Sequence, residues 1–277
     1  MMDGSDFKAV VLDLDGTLCD EGNIHQKDEE VLRRVLDKGL AVIPATTRMR
    51  YSTSEILDDL DVDRFPLVCN KGARAIGPGW KDGFDYEDWY EVFLDRKVAE
   101  ELASYADENE YEITTIFKEK KFWHRSRIDR GDKSDEITQI VDKNTDALSD
   151  GTPISFMMHA EGNGKRALKD FESFAQDFSD SVKIDRHHRS GKFVTLTIYP
   201  EGVSKKKALD VVFKKIDISF EEILAIGDDE VDLEMLKSAR KGIAMGNSPQ
   251  HVKNFADEIA PSCSEQGVSW ALEKYVL

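Results

Sequence analysis

The chain has 277 residues, 40% of them hydrophobic, and carries 55 acidic against 38 basic side chains for a formal charge of −17. That hydrophobic share is enough to build a packed core, which excludes a disordered chain, and the negative field repels nucleic acid and anionic membranes. No apolar run approaches the length of a bilayer span, no basic start precedes an apolar stretch, and Cys19, Cys69 and Cys263 are an odd number without metal-ligand spacing, so a cytoplasmic protein with free thiols is expected.

In chain order, the apolar run Ala9-Val10-Val11-Leu12 before Asp13-Leu14-Asp15-Gly16-Thr17 predicts a buried strand ending in a turn. Asp28 to Lys38 sets Val31, Leu32, Val35 and Leu36 on one helical face, and Gly39 supplies the stop. Leu40 to Ala45 reads as a second strand, Ser52 to Leu60 as a second helix and Pro66 to Cys69 as a third strand. Such alternation predicts a parallel sheet covered by helices.

The texture changes between about Gly77 and Glu201. Tyr111 to Phe117 and Lys121 to Ile128 read as neighbouring strands, and Val182 to His187 and Phe193 to Tyr199 as a hairpin around Arg189-Ser190-Gly191. Helices are expected at Leu94 to Ala106, Ile137 to Leu148 and Ala167 to Phe178, the last with an apolar stripe of Leu168, Phe171, Phe174, Ala175 and Phe178. Alternation then resumes: a helix from Ser204 to about Lys215, a strand Ile223 to Ile226, a helix Asp229 to Ala239, a strand Gly242 to Met245, and helices from Pro249 to Ala256 and Gly267 to Tyr275. The fold class is α/β: a wound, Rossmann-like parallel-sheet core, residues 1–76 and 202–277, interrupted by an inserted α+β domain with an antiparallel sheet, residues 77–201.

Candidate chemistry sits at the strand ends, where ligands bind in open parallel sheets. Asp13 and Asp15, two positions apart, can divide the work of nucleophile and acid or base; an ordinary Asp-Gly turn is the plain alternative. Asp228, Asp229, Glu230 and Asp232 follow another apolar strand and open a helix, where capping alone can explain acids, but beside Asp13 they make a cluster that suits Mg²⁺. Ser204 reads as an N-cap that puts Lys205, Lys206 and Lys207 in a first turn, where the helix dipole disfavours cations. Lys205 is the one expected to meet an anion, with the other two solvated. Thr46, Thr47 and Arg48 end the second strand with a hydroxyl and backbone N–H groups at the start of a helix, where phosphate oxygens bind, or else form a simple turn.

Together these pieces resemble the haloacid dehalogenase-like phosphatase superfamily, and within it the Cof-type hydrolases with a large α/β cap. Asp13-Leu14-Asp15-Gly16-Thr17 matches the first motif, Thr46 the second, Lys205 the third, and Asp228 with Asp232 the fourth; Gly242-Ile243-Ala244-Met245-Gly246-Asn247 is similar to a closing segment. The resemblance implies a Mg²⁺-dependent phosphomonoester hydrolase for a small phosphorylated metabolite, a sugar phosphate first among them. It implies Asp13 as nucleophile and metal ligand, the Asp15 backbone carbonyl, Asp228 and Asp232 as further metal ligands, the Asp15 carboxyl as acid and base, Thr46 and Lys205 as charge stabilisers, and Thr47, Arg48 and Asn247 as further phosphate contacts. Thr47, Lys71 and Val231 stand where the family usually has Gly, Asn and Asn, and the loss of a polar group at Val231 points to reduced or shifted activity. A phosphosugar mutase and a weakly active binding protein are the competing expectations. In the inserted domain Trp123, His124, Arg125, Arg127, His187, His188 and Arg189 are candidates to face the substrate.

Overall fold

The computed structural model describes residues 7–20, 22–81, 86–129, 134–161, 165–189 and 193–277. The chain divides into two compact units, Met1–Glu91 with Ser204–Leu277, and Val92–Val203.

The first unit opens with β1 (Ala9–Leu12), a small ribbon of β2 (Cys19–Asp20) and β3 (Asn23–Ile24), then α1 (Gln26–Asp37), β4 (Ala41–Pro44), α2 (Arg50–Ile56), β5 (Leu67–Cys69), β6 (Arg74–Ile76) and β7 (Asp88–Glu91). In the second unit come α3 (Arg96–Glu108), β8 (Thr114–Ile116), β9 (Lys121–His124), α4 (Arg125–Asp129), β10 (Thr138–Val141), β11 (Ser155–Glu161), α5 (Lys165–Gln176), β12 (Val182–Arg189) and β13 (Phe193–Pro200). The chain returns to the first unit with α6 (Lys205–Ile216), β14 (Ile223–Gly227), α7 (Leu233–Ser238), β15 (Lys241–Ala244), α8 (Gln250–Lys253), β16 (Glu258–Ile259) and α9 (Gly267–Tyr275).

Among the described residues, the central sheet of the first unit has the order β16-β15-β14-β1-β4, with all neighbours parallel. β1 is buried along its whole length, as a strand covered on both faces must be. Its residues alternate between two cores. Val10 and Leu12 pack with Leu32, Val35, Val268 and Leu272, whereas Ala9 and Val11 pack with Leu209, Val212 and Ala225. The stripe predicted for α1 is buried, and Gly39 follows the helix with φ +86°. The buried Asp28 carboxylate accepts from the Ser269 N–H at 2.8 Å and its hydroxyl at 2.5 Å, which ties α1 to the start of α9.

Sequence alone sets the first domain boundary at residue 76, while the compact unit runs on to Glu91. Three contacts explain the extension. β7 pairs with β6, and the fully buried Trp80 donates from Nε1 to the Phe65 carbonyl at 2.9 Å while its own carbonyl accepts from Arg50 Nη1 at 2.7 Å.

The described strands of the second unit form a sheet of order β10-β9-β8-β11-β13-β12, antiparallel except for the β9–β10 pair. Leu102 and Ala103 from α3 and Phe171 and Ala175 from α5 pack with Phe156, Leu196 and Ile198. Asp95 caps α3 by accepting from the N–H groups of Lys97 and Val98 at 2.9 and 3.1 Å.

Several predicted elements need correction. Ile137 to Leu148 is not a helix. Thr138–Val141 is a strand beside β9, and a short 3-10 turn, Asn144–Asp150, follows. The β-branched Thr138, Ile140 and Val141 favour the strand, and Asn144 is held by Asp107 through its backbone N–H and side-chain amide at 2.6 and 2.8 Å. The strand predicted for Lys121 to Ile128 stops at His124, where α4 starts, and that predicted for Tyr111 to Phe117 shrinks to Thr114–Ile116. Of the phenylalanine stripe only Phe171 is fully buried; Phe174 stacks on Tyr105 at 3.8 Å at the margin of the core. Ser190 and Gly191 of the predicted hairpin turn lie outside the described residues.

Phe171→Ala is expected to destabilise the Val92–Val203 unit by ~3–5 kcal/mol, the usual range for emptying a fully buried aromatic site. Chemical denaturation of the variant beside the parent protein measures it.

Candidate active site

The parallel register assembles the site. Leu12 pairs with Ile226 on one side and with Pro44 on the other. One residue further on, Asp13 donates its backbone N–H to the Ile226 carbonyl at 3.0 Å, and Ala45 donates to the Leu12 carbonyl at 2.9 Å. Asp13, Thr46 and Asp228 therefore leave the sheet at the same edge, the carboxyl ends of β1, β4 and β14.

Lys205 is fully buried and its Nζ lies 2.5 Å from Asp13 Oδ1 and 2.7 Å from Asp232 Oδ1. Ser204 caps α6 by accepting from the Lys207 N–H at 3.3 Å, as the sequence pattern predicts. Lys206 turns to Asp210 one helical turn on, at 2.7 Å. The other oxygen of Asp232 accepts from the N–H groups of Asp228 and Asp229 at 3.0 and 3.1 Å. Both Asp232 oxygens thus have donors, and the same carboxylate fixes Lys205 and the backbone beneath Asp228.

One carboxylate oxygen from each of Asp13, Asp228 and Asp232 lies within 4.8 Å of the others. Burial pushes the Asp13 carboxyl up to about 7 against the pull of the Lys205 ammonium, with Asp232 adding to the rise. Burial also raises Asp228, to about 8, with Asp13 and Asp232 helping and the Thr17 bond opposing. Burial works against the Lys205 charge, but the attraction of Asp13 and Asp232 outweighs it and raises Lys205. With all three carboxylates ionised, one ammonium leaves two negative charges uncancelled. That imbalance, on hard oxygen donors, fits one divalent cation.

Two glycines permit this closeness. Gly16 has φ +83°, and a Cβ there would lie 2.3 Å from Asp228 Oδ2. Gly72 has φ +93°, and a Cβ there would lie 2.4 Å from the Ser204 carbonyl carbon, at the start of the helix that carries Lys205.

Other predicted residues take different partners. The Arg48 guanidinium reaches Asp15, Nε to Oδ2 at 2.7 Å and Nη2 to Oδ1 at 2.6 Å. Asn247 donates from Nδ2 to the Gly16 carbonyl at 2.8 Å and to Asp228 Oδ2 at 3.2 Å, and accepts from the Cys263 N–H at 2.9 Å. Thr46 is fully buried, and its Oγ1 accepts from the Arg48 N–H at 3.1 Å, which leaves the hydroxyl hydrogen to be donated elsewhere. Thr47 is exposed, and the helix after it starts only at Arg50. Val231 sits in the 3-10 turn Glu230–Asp232, whose polar bonds come from its neighbours. Sequence reasoning assigned no role to Thr17, whose hydroxyl donates to Asp228 Oδ1 at 3.1 Å; its place in the Asp13–Thr17 motif was the available signal.

This edge brings acids, one buried amine and one hydroxyl together, and similarity to known proteins shows the family. The profile of the haloacid dehalogenase-like hydrolases matches residues 10–272, and the chain belongs to that family. It is 25% identical over 274 residues to the 5-amino-6-(5-phospho-D-ribitylamino)uracil phosphatase YcsE of Bacillus subtilis, covering 98% of this chain and 97% of that protein. It is 26% identical over 285 residues to the chloroplastic endoribonuclease YBEY of Arabidopsis thaliana, covering 97% of this chain but spanning only 46% of the plant protein. Among solved structures, a haloacid dehalogenase-like hydrolase from Bacteroides thetaiotaomicron superposes with a TM-score of 0.79 at 25% identity, covering 97% and 99% of the two chains. The subclass IIB sugar phosphatase BT4131 shares the fold, with a TM-score of 0.75 at 20% identity over 97% and 98% of the two chains. Among the described residues no helix is long and apolar enough to cross a membrane.

Lys205→Met should destabilise the first unit by ~3–5 kcal/mol, because it leaves the buried carboxylates of Asp13 and Asp232 without their common cation. Urea unfolding in chelator-treated buffer reads the loss.

Proposed function

We propose that this chain is a Mg²⁺-dependent phosphomonoester hydrolase acting on a small phosphorylated metabolite, with a sugar or polyol phosphate as the first substrate class. The observation that carries the reading is the convergence of Asp13, Asp228 and Asp232 around the single ammonium of Lys205, which leaves two negative charges uncompensated when all three carboxyls are ionised. The phosphorylated ribityl chain in the name of the Bacillus subtilis relative supports the polyol class. Three free, buried cysteines fit a reducing, cytoplasmic setting.

Asp13 attacks the phosphorus in line and forms an aspartyl phosphate. Lys205 holds one Asp13 oxygen and keeps the nucleophile oriented. Thr46 gives its hydroxyl hydrogen to a phosphoryl oxygen, where charge spreads in the transition state. Asp15 delivers a proton to the leaving alcohol and then takes one from the attacking water. Asp13, the Asp15 backbone carbonyl and Asp228 would hold the cation, which would supply charge neutralisation between carboxylate and phosphate; Asp232, expected from the sequence as a further ligand, spends both oxygens on other donors. Asp232, with both oxygens engaged, holds Lys205 and the Asp228 backbone, and Thr17 and Asn247 steady the Asp228 carboxylate.

A panel of sugar phosphates, phosphoglycolate, pyridoxal phosphate and nucleotides, assayed for phosphate release with Mg²⁺, tests the reading. Phosphate release from a sugar or polyol phosphate is expected, lowered by ~10³-fold or more in Asp13→Asn. Release from none of the esters, or equal release by the variant, contradicts it.

The raised carboxyls give a second expectation. Asp13 and Asp228 ionise at higher pH in the fold than in the unfolded chain, so they favour the metal-free native state most below the unfolded carboxyl range and lose that contribution progressively as pH rises from that range to about 7 to 8. Metal-free protein should become less stable across that window and Mg²⁺ should restore the loss. Mg²⁺ binding near pH 7 should also release protons, seen as a dependence of the binding heat on buffer ionisation enthalpy; identical heats in two such buffers contradict the assignment.

A further inference from the structure

Arg48 spends its charge on Asp15. The two side chains meet fork to fork, with one N–H from Nε and one from Nη2 directed at separate carboxylate oxygens at 2.7 and 2.6 Å, the geometry of a strong charge-assisted pair. Both partners are anchored. The Arg48 N–H donates to Thr46 Oγ1 at 3.1 Å, its carbonyl accepts from the Asn70 N–H at 2.8 Å, and its side chain is only 24% exposed. Asp15 is held by the bridge to Cys19, and the Gly16 N–H donates to the Cys19 carbonyl at 3.0 Å. A guanidinium fixed in this plane presents its fork to Asp15.

We propose that Arg48 is a positioning residue for Asp15, aiming the carboxylate for its work as base in the second half of the reaction; this rests on the phosphatase reading above. In that half a water oxygen bonds to the phosphorus of the Asp13 acyl phosphate. The bond between phosphorus and the Asp13 oxygen breaks, its electron pair returns to the Asp13 carboxylate, and the water proton passes to Asp15. Inorganic phosphate leaves. The protonated Asp15 keeps one oxygen for Arg48 and gives its proton to the leaving alcohol oxygen of the next ester. A carboxylate without its fork turns about its own side-chain bonds, and a misplacement of about 1 Å can cost ~10²-fold in rate.

Rapid mixing of p-nitrophenyl phosphate with the Mg²⁺-loaded full chain and its Arg48→Ala variant tests this, because an aryl leaving group departs without an acid. The expected result is a burst of p-nitrophenolate at the parent rate, then a steady state slowed by ~10²-fold. Phosphate should stay on the protein after acid quench and be released by hydroxylamine. Inhibition by inorganic phosphate should be unchanged, and added guanidinium ion should partly restore the steady state. A burst slowed together with the steady state, or weakened inhibition by phosphate, overturns the inference and makes Arg48 a phosphate ligand. An unchanged steady state overturns it too. Arg48→Lys, which keeps the charge and loses the fork, gives the same readings should Arg48→Ala fail to fold. Absence of phosphate release by the parent from every ester overturns the phosphatase reading itself, and this inference with it.

Discussion

A fully buried amine between two carboxylates holds the site together. Lys205 cannot keep its charge in the interior without partners, since removing an ion from water costs several kcal/mol even after the protein relaxes. Asp13 and Asp232 provide them at 2.5 and 2.7 Å, and those two residues belong to different stretches of the chain. The demand of one ammonium thus fixes the end of β1, the start of α6 and the turn after β14 against one another. Asp232 carries the constraint one step further, because its second oxygen takes the N–H groups of Asp228 and Asp229. Moving Lys205 would therefore disturb the position of Asp228.

That arrangement creates a deficit of positive charge. One ammonium satisfies part of three carboxylates, and burial makes the remainder costly, which is why Asp13 and Asp228 are pushed up. A dehydrated interior that concentrates negative charge binds a hard cation more readily than an exposed acidic surface does, where water and salt screen each carboxylate. The chain's overall charge of −17 matters little here. What matters is the local count within a few ångströms.

The parallel core and its chemical edge were legible because the signals were local and redundant. An apolar strand followed by Asp13-Leu14-Asp15-Gly16-Thr17 has few other readings, and the same holds for Ile223–Gly227 followed by its acids. Partner choice was less legible. Arg48 and Asn247 carry polar groups that suit a phosphate, and one-dimensional reasoning sends them there; their observed bonds go to Asp15, and to the Gly16 carbonyl and Asp228. Which of two anionic partners a guanidinium meets depends on backbone placement that no spacing rule encodes. In the inserted segment one expectation failed. Ile137, Ile140, Val141 and Leu148 repeat at distances that suit a helix, but a strand followed by a turn buries Leu148 and half-buries the other three, and the β-branched residues at 138, 140 and 141 were the better arbiter.

Asp13 and Asp15 are the same residue type, two positions apart, in opposite surroundings. Asp13 is 4% exposed and faces an ammonium that is itself buried. The Asp15 side chain is 40% exposed and faces a guanidinium whose own side chain is partly open to solvent. A nucleophile needs a fixed direction and a compensated charge, both of which a buried lysine supplies. A proton carrier needs access to water and to a leaving group, and a partner that stays charged whichever form the carboxyl takes; arginine meets the second need better than lysine because its guanidinium does not lose its proton in proteins. The division of labour proposed for the pair follows from these two environments, because the carboxyl groups themselves are chemically identical.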